Sequence, residues 1–194
     1  MTVARDRRTP DVAVEIEGVI VRPRVMHLDH RGAVSELFRA DEDGGFEPRQ
    51  WHALISRAGT LRGMHLHLRH WDYKLVVAGR EALVLKDLRR GSQSEGGAAR
   101  IELSAAELTS VTIPPGVAHG LYSYENSVTL VGSSAFYDPG DEFEFRWDDP
   151  ELGASWPATP IHLSERDRNA QPLRSLVRQI ETQQRLAESP SRPE

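Results

Sequence analysis

Cysteine is missing from this 194-residue chain, and so is any long hydrophobic run. Without a thiol there can be no disulfide and no cysteine nucleophile, which fits a reducing compartment. No apolar run near the N-terminus resembles a signal peptide, and no stretch approaches the length of a membrane span. We therefore expect a cytoplasmic protein with no membrane partner.

An excess of positive charge is also missing. The formal net charge is −5 and the isoelectric point about 5.9, so we expect no nucleic-acid partner. Lysine is scarce: of 24 basic residues, only Lys74 and Lys86 are lysines. A length of 194 residues suits a single domain with a sizeable core.

What the sequence does contain is a series of short segments rich in Val, Ile, Leu and Thr. Gly, Pro, Asp or Ser bound these segments, as is typical of strands. They comprise residues 12–25, 49–58, 72–79, 81–88, 99–103, 109–114 and 127–137. Breaks typical of turns fall at RRGSQSEGG, IPPGVAHG and YDPGDE. Many short strands at close spacing predict an all-β sandwich or barrel.

One segment near the C-terminus has a different periodicity. In PLRSLVRQIETQQRLA, apolar residues follow the i, i+3, i+4, i+7 spacing of a helix, and Pro172 stands at its start. We predict a short amphipathic helix over 171–187, packed on its own barrel or on a partner subunit. Residues 1–10 and 188–194 are predicted to be loose tails, and 11–170 to form the single β domain.

The histidines pose the functional question, because three of the eight lie in the segment GTLRGMHLHLRHWDYKLVVAG. His65 and His67 alternate on a predicted strand, so both would point to one face. The spacing of Gly, two His, Asp and Gly in this segment resembles the first motif of the cupin superfamily, with Asp in place of Glu. The segment PPGVAH resembles part of the second motif.

Two chemical interpretations of this pattern are open. Adjacent strands of a small barrel aim alternate side chains into one cavity, where imidazole and carboxylate groups suit Fe, Ni, Zn or Mn. The candidate metal ligands are His65, His67, Asp72 and His119. Alternatively, one of the histidines acts as a base without any metal.

A longer series of motifs resembles the dTDP-4-dehydrorhamnose 3,5-epimerase family, a jelly-roll branch of the cupin superfamily. The matching pieces occur in family order over roughly residues 29–173. They are DHRGAVSE, Gln50, SRAGTLRGMHLH, YKLVVAG, DLRRGS, IELSAAE, IPPGVAHG, YDPGDE, WDDPELGASWP and LSERDRNAQPL. The resemblance implies a cupin-like antiparallel jelly roll, no cofactor, and a nucleotide-linked sugar as substrate.

The resemblance also implies roles for individual residues. His65 matches the family's catalytic base beside the C4 ketone of the sugar, and Asp167 matches the carboxylate that orients it. Lys74 matches a cation near the oxygen that becomes an enolate. Further positions match substrate-binding residues: Arg62, His119, Gln50, Arg31 and Glu36. The last two are implied to hold the nucleotide across the interface of a homodimer.

Elementary acid–base chemistry agrees with these roles. A carbon acid beside a ketone releases its proton only if the developing enolate charge is stabilised. A His–Asp pair supplies a base near neutral pH, and such a step contributes about 10²–10⁴-fold. Lys74 lies in the apolar segment YKLVVA of a chain that otherwise uses arginine, which favours a point-charge role. The alternative is a lysine at a sheet edge with its ammonium in solvent.

Some positions depart from the family pattern. The register of the YDP segment puts Val131 where the family has its general-acid tyrosine, and valine cannot donate a proton. His52 replaces an asparagine, and Val34 replaces a phenylalanine. Tyr122 or Tyr124 would be a substitute donor if its strand faced the cavity. These departures predict inversion at one centre instead of two.

Three classes of function follow. The first, which we favour, is a metal-independent epimerase or isomerase of a dTDP-4-keto-6-deoxy sugar in deoxysugar biosynthesis. The second is a metal-dependent cupin enzyme that uses the four candidate ligands. The third is a relative that acts on, or merely binds, a non-sugar metabolite. Metal analysis separates the second class from the first, and dTDP binding separates the first from the third.

Overall fold

The computed structural model describes residues 14–42 and 47–188 of the chain. Short strands dominate it, because the β-branched and aliphatic segments fit a pleated, half-buried surface. The strands are β1 (Ile20–Pro23), β2 (Met26–Asp29), β3 (Gly32–Ser35), β4 (Gln50–Ser56), β5 (Leu61–Leu66), β6 (Asp72–Ala78), β7 (Arg80–Asp87), β8 (Ala98–Ser104), β9 (Thr109–Ile113), β10 (Val117–Ser123), β11 (Ser127–Ser133) and β12 (Phe143–Glu144). The helices are a 3₁₀ turn at Pro139–Asp141, α1 (Glu165–Arg168) and α2 (Leu173–Glu188).

Two five-stranded sheets pack face to face. The first sheet has the order β1-β9-β6-β11-β4 and the second has the order β12-β5-β10-β7-β8, while β2 and β3 form a separate two-stranded sheet. All pairings within the sheets are antiparallel. The fold is therefore the all-β, cupin-like jelly roll that the motif series implies.

The space between the sheets is apolar at one end and polar at the other. Along β6 the inward side chains change from Val76, in the core, to Lys74 and Asp72, in a cavity. The core at the apolar end includes Leu83, Leu85, Leu103, Val111, Ile113 and Leu121. A one-residue slip would turn all these side chains to the wrong face, so the core also fixes where each polar group stands.

Helix α2 covers the outer face of the second sheet. Its Leu173 and Leu176 are buried in one cluster with Met64 and Leu66 of β5. Asp149 accepts a hydrogen bond from the Leu173 backbone N–H at 2.9 Å, which satisfies one donor at the helix start. The C-terminal helix is confirmed, and its apolar side packs on its own barrel. None of the helices in the described ranges has the length and hydrophobicity that a membrane crossing needs.

An aromatic row covers the outer face of the first sheet. Trp51, Gly132 and Tyr73 are cross-strand neighbours, and a Cβ at Gly132 would lie 3.1 Å from the indole of Trp51. The rings of Trp51 and Tyr73 meet edge to face at 5.8 Å between centroids, and Phe38 packs against both. The row lies directly behind the side chains that β4, β6 and β11 turn inward.

The strand prediction was wrong in three places. Residues 12 and 13 of the strand expected over 12–25 lie outside the described residues, and within 14–25 the strand is limited to Ile20–Pro23, because the chain turns at Gly18, whose φ is +75°. The segment IPPGVAHG was expected to be a turn, yet Val117–Ser123 forms β10. This strand is buried on both faces, so it lacks the alternation that marks a half-exposed strand. The hairpin of β2 and β3 was not predicted at all.

The predicted division into one domain and two tails stays a prediction. The tail at 1–10 lies outside the described residues, as does 189–194. Glu188 is the last residue of α2.

Candidate active site

A cavity of about 340 Å³ occupies the polar end of the space between the sheets. Two walls and a rim form it. The second-sheet wall consists of Arg62, His65 and His119, with Ser164 and Asp167 from the region of α1. The first-sheet wall consists of Gln50, His52, Leu54, Asp72, Lys74, Val131 and Ser133. The rim includes the loop residues His67, His70, Phe136, Tyr137 and Glu142, together with Arg166 of α1.

Gly63 lets β5 approach β10 closely. A Cβ at this position would lie 2.6 Å from Gly120 Cα and 3.0 Å from the His119 carbonyl oxygen. Its φ of +137° is also one that favours glycine. The close approach allows the register in which His65 pairs with His119. The segment RGMH therefore places two imidazoles side by side on the second-sheet wall.

His65 forms a hydrogen-bonded pair with Asp167. His65 Nε2 and Asp167 Oδ1 are 2.7 Å apart, and Ser164, the N-cap of α1, donates to Oδ2 at 2.8 Å. Burial raises the pKa of Asp167, but the hydrogen bonds from His65 and Ser164 outweigh it and lower the pKa below its ordinary value. The charged carboxylate accepts the Nε2–H, which assigns the lone pair of the ring to Nδ1. Within the described residues Nδ1 has no hydrogen-bond partner, so it can accept a proton.

Lys74 stands on the first-sheet wall in β6, the central strand of its sheet, so it is not at a sheet edge. Its Nζ lies 3.1 Å from Asp72 Oδ2, and only 6% of its side chain is exposed. His119 Nε2 donates to the same oxygen at 3.2 Å, and Ser133 donates to Oδ1 at 3.1 Å. His119 of the second-sheet wall thus contacts the first-sheet wall through the Asp72 carboxylate.

The charges of this network follow from burial and mutual attraction. Burial raises the pKa of Asp72, but Lys74 and His119 outweigh it and hold the pKa well below its usual range. Burial and the nearby ammonium of Lys74 lower the pKa of His119 to about 3. Near pH 7 Asp72 is therefore a carboxylate and His119 a neutral imidazole.

His67 and His70 lie beside this network. Their rings stack with 4.1 Å between centroids. His67 Nδ1 donates to the Asp141 carbonyl oxygen at 3.0 Å, and His70 Nδ1 is 3.0 Å from the Asp141 carboxylate. Burial lowers the pKa of His67, which favours the neutral ring. Because Nδ1 carries the donated hydrogen, Nε2 carries the lone pair. For His70, burial is outweighed by hydrogen bonds to Asp72 and Asp141, which raise its pKa.

Three of the four predicted metal ligands come together. Ligand atoms of His67, Asp72 and His119 all lie within 4.8 Å of one another. His65 is not in that group, and its Nε2 is bonded to Asp167. Two imidazoles and a carboxylate suit a divalent ion in type, but the Asp72 carboxylate already neutralises Lys74. A metal ion on that oxygen would compete with the ammonium, so the residues fit a metal poorly and we derive no step through one.

Arg62 and Gln50 also line the cavity. Arg62 Nε donates to Ser56 Oγ at 3.0 Å, and its Nη2 donates to the Ile55 carbonyl oxygen at 3.1 Å, which fixes the guanidinium. Gln50 Oε1 accepts a hydrogen bond from the backbone N–H of Tyr137 at 2.9 Å. This bond holds the rim segment after β11 against the first-sheet wall.

Val131 stands between His52 and Lys74 on the first-sheet wall. It pairs with His52 of β4 on one side and with Lys74 of β6 on the other, so the three side chains point the same way. Tyr122 and Tyr124 are not substitute donors. Tyr122 is buried in an apolar cluster outside the cavity, and the Tyr124 hydroxyl donates to a carboxylate of β8 at 2.9 Å.

Arg31 and Glu36 lie away from the cavity of their own chain. Arg31 is in the turn between β2 and β3, where it pairs with Asp29 at 2.6 Å. Glu36 follows β3 and faces Arg39 at 3.5 Å. The role implied for both residues, in the site of a second subunit, stays a prediction.

Sequence reasoning assigned no role to Ser164, and it considered Asp72 only as a metal ligand. A signal for each was present. Ser164 lies three residues before an acidic residue at a helix start, which is the spacing of an N-cap. Asp72 and Lys74 are two residues apart in a strand, so they face the same way and are able to pair.

Comparisons with known proteins identify the family of the chain. The family model for dTDP-4-dehydrorhamnose 3,5-epimerase matches residues 13–175. A dTDP-4-dehydrorhamnose 3,5-epimerase of Methanothermobacter thermautotrophicus is 30% identical over 173 residues, covering 84% of this chain and 94% of that protein. A dTDP-4-dehydro-6-deoxyglucose 3-epimerase of Streptomyces bikiniensis is 32% identical over 176 residues, covering 85% and 89%. The solved structure of an epimerase from Mycobacterium tuberculosis superposes with a TM-score of 0.83 at 27% identity, covering 91% of this chain and 97% of that one.

Fold and site together define a class, the isomerases built on a cupin-like jelly roll, because the cavity joins a His–Asp pair to a buried lysine. Within that class, the chain belongs to the dTDP-4-dehydrorhamnose 3,5-epimerase family. By their names, the relatives act on dTDP sugars at two centres or at one. Membership of the family leaves the number of inverted centres open for this chain.

Proposed function

We propose that this protein inverts a carbon beside the C4 ketone of a dTDP-4-keto-6-deoxy sugar in deoxysugar biosynthesis, without a metal or an organic cofactor. One observation carries the proposal: a His–Asp base and a buried lysine face each other across one cavity. The base is on the second-sheet wall and the lysine is on the first-sheet wall. The names of the relatives support the substrate class.

His65 is the proposed general base. Its Nδ1 takes the proton from the carbon next to the ketone, while its Nε2–H stays bonded to Asp167. The carboxylate holds the ring in this tautomer and stabilises the imidazolium that forms. General-base catalysis of this kind contributes about 10²–10⁴-fold to the rate.

Lys74 is the proposed electrophile. Loss of the proton moves negative charge onto the ketone oxygen, and an ammonium aimed at that oxygen stabilises the enolate as it forms. Burial of Lys74 strengthens this effect, since water screens the charge less inside the protein. Asp72 holds the ammonium in place and keeps the buried charge paired, and His119 contacts the same carboxylate oxygen.

Arg62, Gln50 and His119 are proposed to contact the substrate within the cavity, and Arg31 and Glu36 to reach it from a second subunit. The β2–β3 hairpin carries exposed apolar side chains, with Leu28 77% and Val34 69% exposed. Burial against another copy of the chain would remove these from water, which supports a homodimer. Light scattering should show a dimer, and a dilute monomer with full activity would contradict this part of the proposal.

The test is NMR of dTDP-4-keto-6-deoxyglucose in D₂O with the wild-type enzyme. We expect solvent deuterium to enter at a carbon next to the ketone, with inversion at one centre. Tight dTDP binding without exchange at C3 or C5 would refute enolising chemistry on this substrate. Deuteration with inversion at both carbons would refute the single-centre part, and failure to bind dTDP would favour a non-sugar metabolite.

A further inference from the structure

Inversion requires a proton donor on the face of the sugar opposite the base. If His65 removes a proton from one side, returning a proton to that side restores the starting configuration. His65 is on the second-sheet wall, so the first-sheet wall faces the side of the sugar from which the donor has to act. This reasoning rests on the proposed function, since it concerns the same carbon and the same enolate.

Three residues of the first-sheet wall carry an ionisable side chain: His52, Asp72 and Lys74. Asp72 is held as a carboxylate by Lys74 and His119, so it has no proton to give. Lys74 is occupied at the ketone oxygen in the proposed reaction. Among the cavity-lining residues that the structure describes on this wall, His52 is left.

The position of His52 suits a donor. Val131 of β11 lies between His52 of β4 and Lys74 of β6 and pairs directly with each of them. The Cβ atoms of directly paired residues are about 4.5–5.5 Å apart. Because the Val131 side chain is small, the imidazole of His52 has room to extend over β11 toward the cavity. His52 also lies in the last strand of the sheet order and is exposed, so it can take a new proton from water.

We propose that His52 is the general acid that protonates the enolate on the face opposite His65. The C–H bond breaks as its proton passes to His65 Nδ1 and the electron pair becomes the enolate, whose oxygen faces Lys74. Protonated His52 then gives its ring proton to the same carbon from the other side, and the electron pair closes that new C–H bond. His65 releases its proton to solvent and His52 gains one, so the cycle balances without an oxidant or a reductant.

The charges around His52 set the pH range in which it holds a proton. Burial lowers the pKa of His52, the ammonium of Lys74 lowers it further, and the carboxylates of Asp72 and Glu142 partly offset both. The neighbouring strand β11 contributes Val131, which does not titrate. The protonated form is therefore lost at a lower pH than for an ordinary histidine. As the pH rises through that range, the rate of inversion should fall relative to the rate of deuterium exchange.

The experiment compares wild type with His52→Asn and His52→Gln, using dTDP-4-keto-6-deoxyglucose in D₂O. Both variants remove the titrating ring and keep a polar side chain. We expect deuterium exchange near the wild-type rate, because His65, Asp167 and Lys74 are intact, and inversion slower by about 10²-fold or more. His162→Gln is the matched control, because His162 is an exposed histidine that does not line the cavity. It should behave as wild type.

A second variant tests whether the missing function is a proton donor. Adding Val131→Tyr to His52→Asn places a phenol at the neighbouring register position, and it should restore part of the inversion. Circular dichroism and thermal denaturation confirm that each variant is folded.

Two results would overturn the inference while the proposed function stands. In one, His52→Asn inverts at the wild-type rate. In the other, His52→Asn loses exchange and inversion equally, which would indicate a role in binding. Absence of exchange in the wild-type enzyme itself would overturn the proposed function, and this inference with it.

Discussion

The ionisable groups that the two walls turn into the cavity lie at different depths. His65 on the second-sheet wall is 25% exposed at the side chain and His52 is exposed on the edge of the first sheet, whereas Lys74 is 6% exposed. Groups that take up and release protons need contact with water in order to reset. A group that only stabilises charge is more effective where water is excluded. The difference in depth therefore matches a difference in task.

Removing the base should cause the largest loss of activity. His65→Ala deletes the proton acceptor of the second-sheet wall and leaves Lys74 and its network untouched. Deuterium exchange next to the ketone, followed by NMR, should fall by about 10²–10⁴-fold. His162→Ala is the control for loss of an imidazole elsewhere. Exchange at the wild-type rate in His65→Ala would show that another group is the base.

Removing the buried charge should have the next largest effect. Lys74→Met keeps the length and apolar stem of the side chain and deletes the ammonium, so the enolate loses its partner. We expect the rate of exchange to fall by about 10²–10³-fold. The control is Lys86→Met, at the only other lysine, whose Nζ bonds the Gly96 carbonyl oxygen at 2.7 Å outside this cavity. Equal losses in the two variants would point to stability instead of charge.

Changing the partner of the base should have a smaller effect. Asp167→Asn leaves His65 in place but weakens its orientation, so we expect a loss of about 10- to 100-fold. Because the pKa of Asp167 is lowered, its carboxylate stays charged at every pH above its ordinary value, near 3.9. Any change of the wild-type rate between about pH 5 and 8 therefore comes from groups other than Asp167. Both rates would be measured as deuterium exchange by NMR, and exchange of Asp167→Asn at the wild-type rate would show that the carboxylate does not assist the base.

Removing metal should have no effect on either wall. Dialysis against EDTA is expected to leave exchange and inversion unchanged, because Asp72, the carboxylate that a metal ion would need, pairs with the ammonium of Lys74. Activity would be measured before dialysis, after dialysis, and after addition of Fe, Mn, Ni or Zn. Loss on dialysis with recovery on addition of one ion would favour a site at His67, Asp72 and His119 over the epimerase mechanism.

Much of the framework could be predicted from local patterns. Helix α2 buries one set of regularly spaced apolar side chains, and that regularity is visible in the sequence. Strand β6 is visible as a short run rich in Leu and Val that ends at Gly79. Strand β10 could not be recognised this way, because it is buried on both faces and includes His119 and Gly120. The β2–β3 hairpin is exposed on most of its length, so no apolar alternation marks it.

The site itself was less accessible to such reasoning. The pair of His65 and Asp167 joins residues 102 positions apart, and local spacing carries no information on that contact. It was anticipated only through the resemblance to a family. The row of His52, Val131 and Lys74 depends on the register of three strands, which core packing sets along their whole length. The sequence shows the substitutions at 52 and 131, but only the register shows that they are neighbours.

The aromatic row behind the first-sheet wall gives the molecule an optical property. Trp51 precedes His52 in β4, points to the opposite side of the sheet, and is 47% exposed. Its indole rests on Gly132 and meets the ring of Tyr73 edge to face. A small displacement of β4 by a bound sugar would change both the solvent exposure of the Trp51 indole and its distance from the ring of Tyr73. We therefore expect the fluorescence of Trp51 to change when a sugar binds in the cavity on the other face of β4.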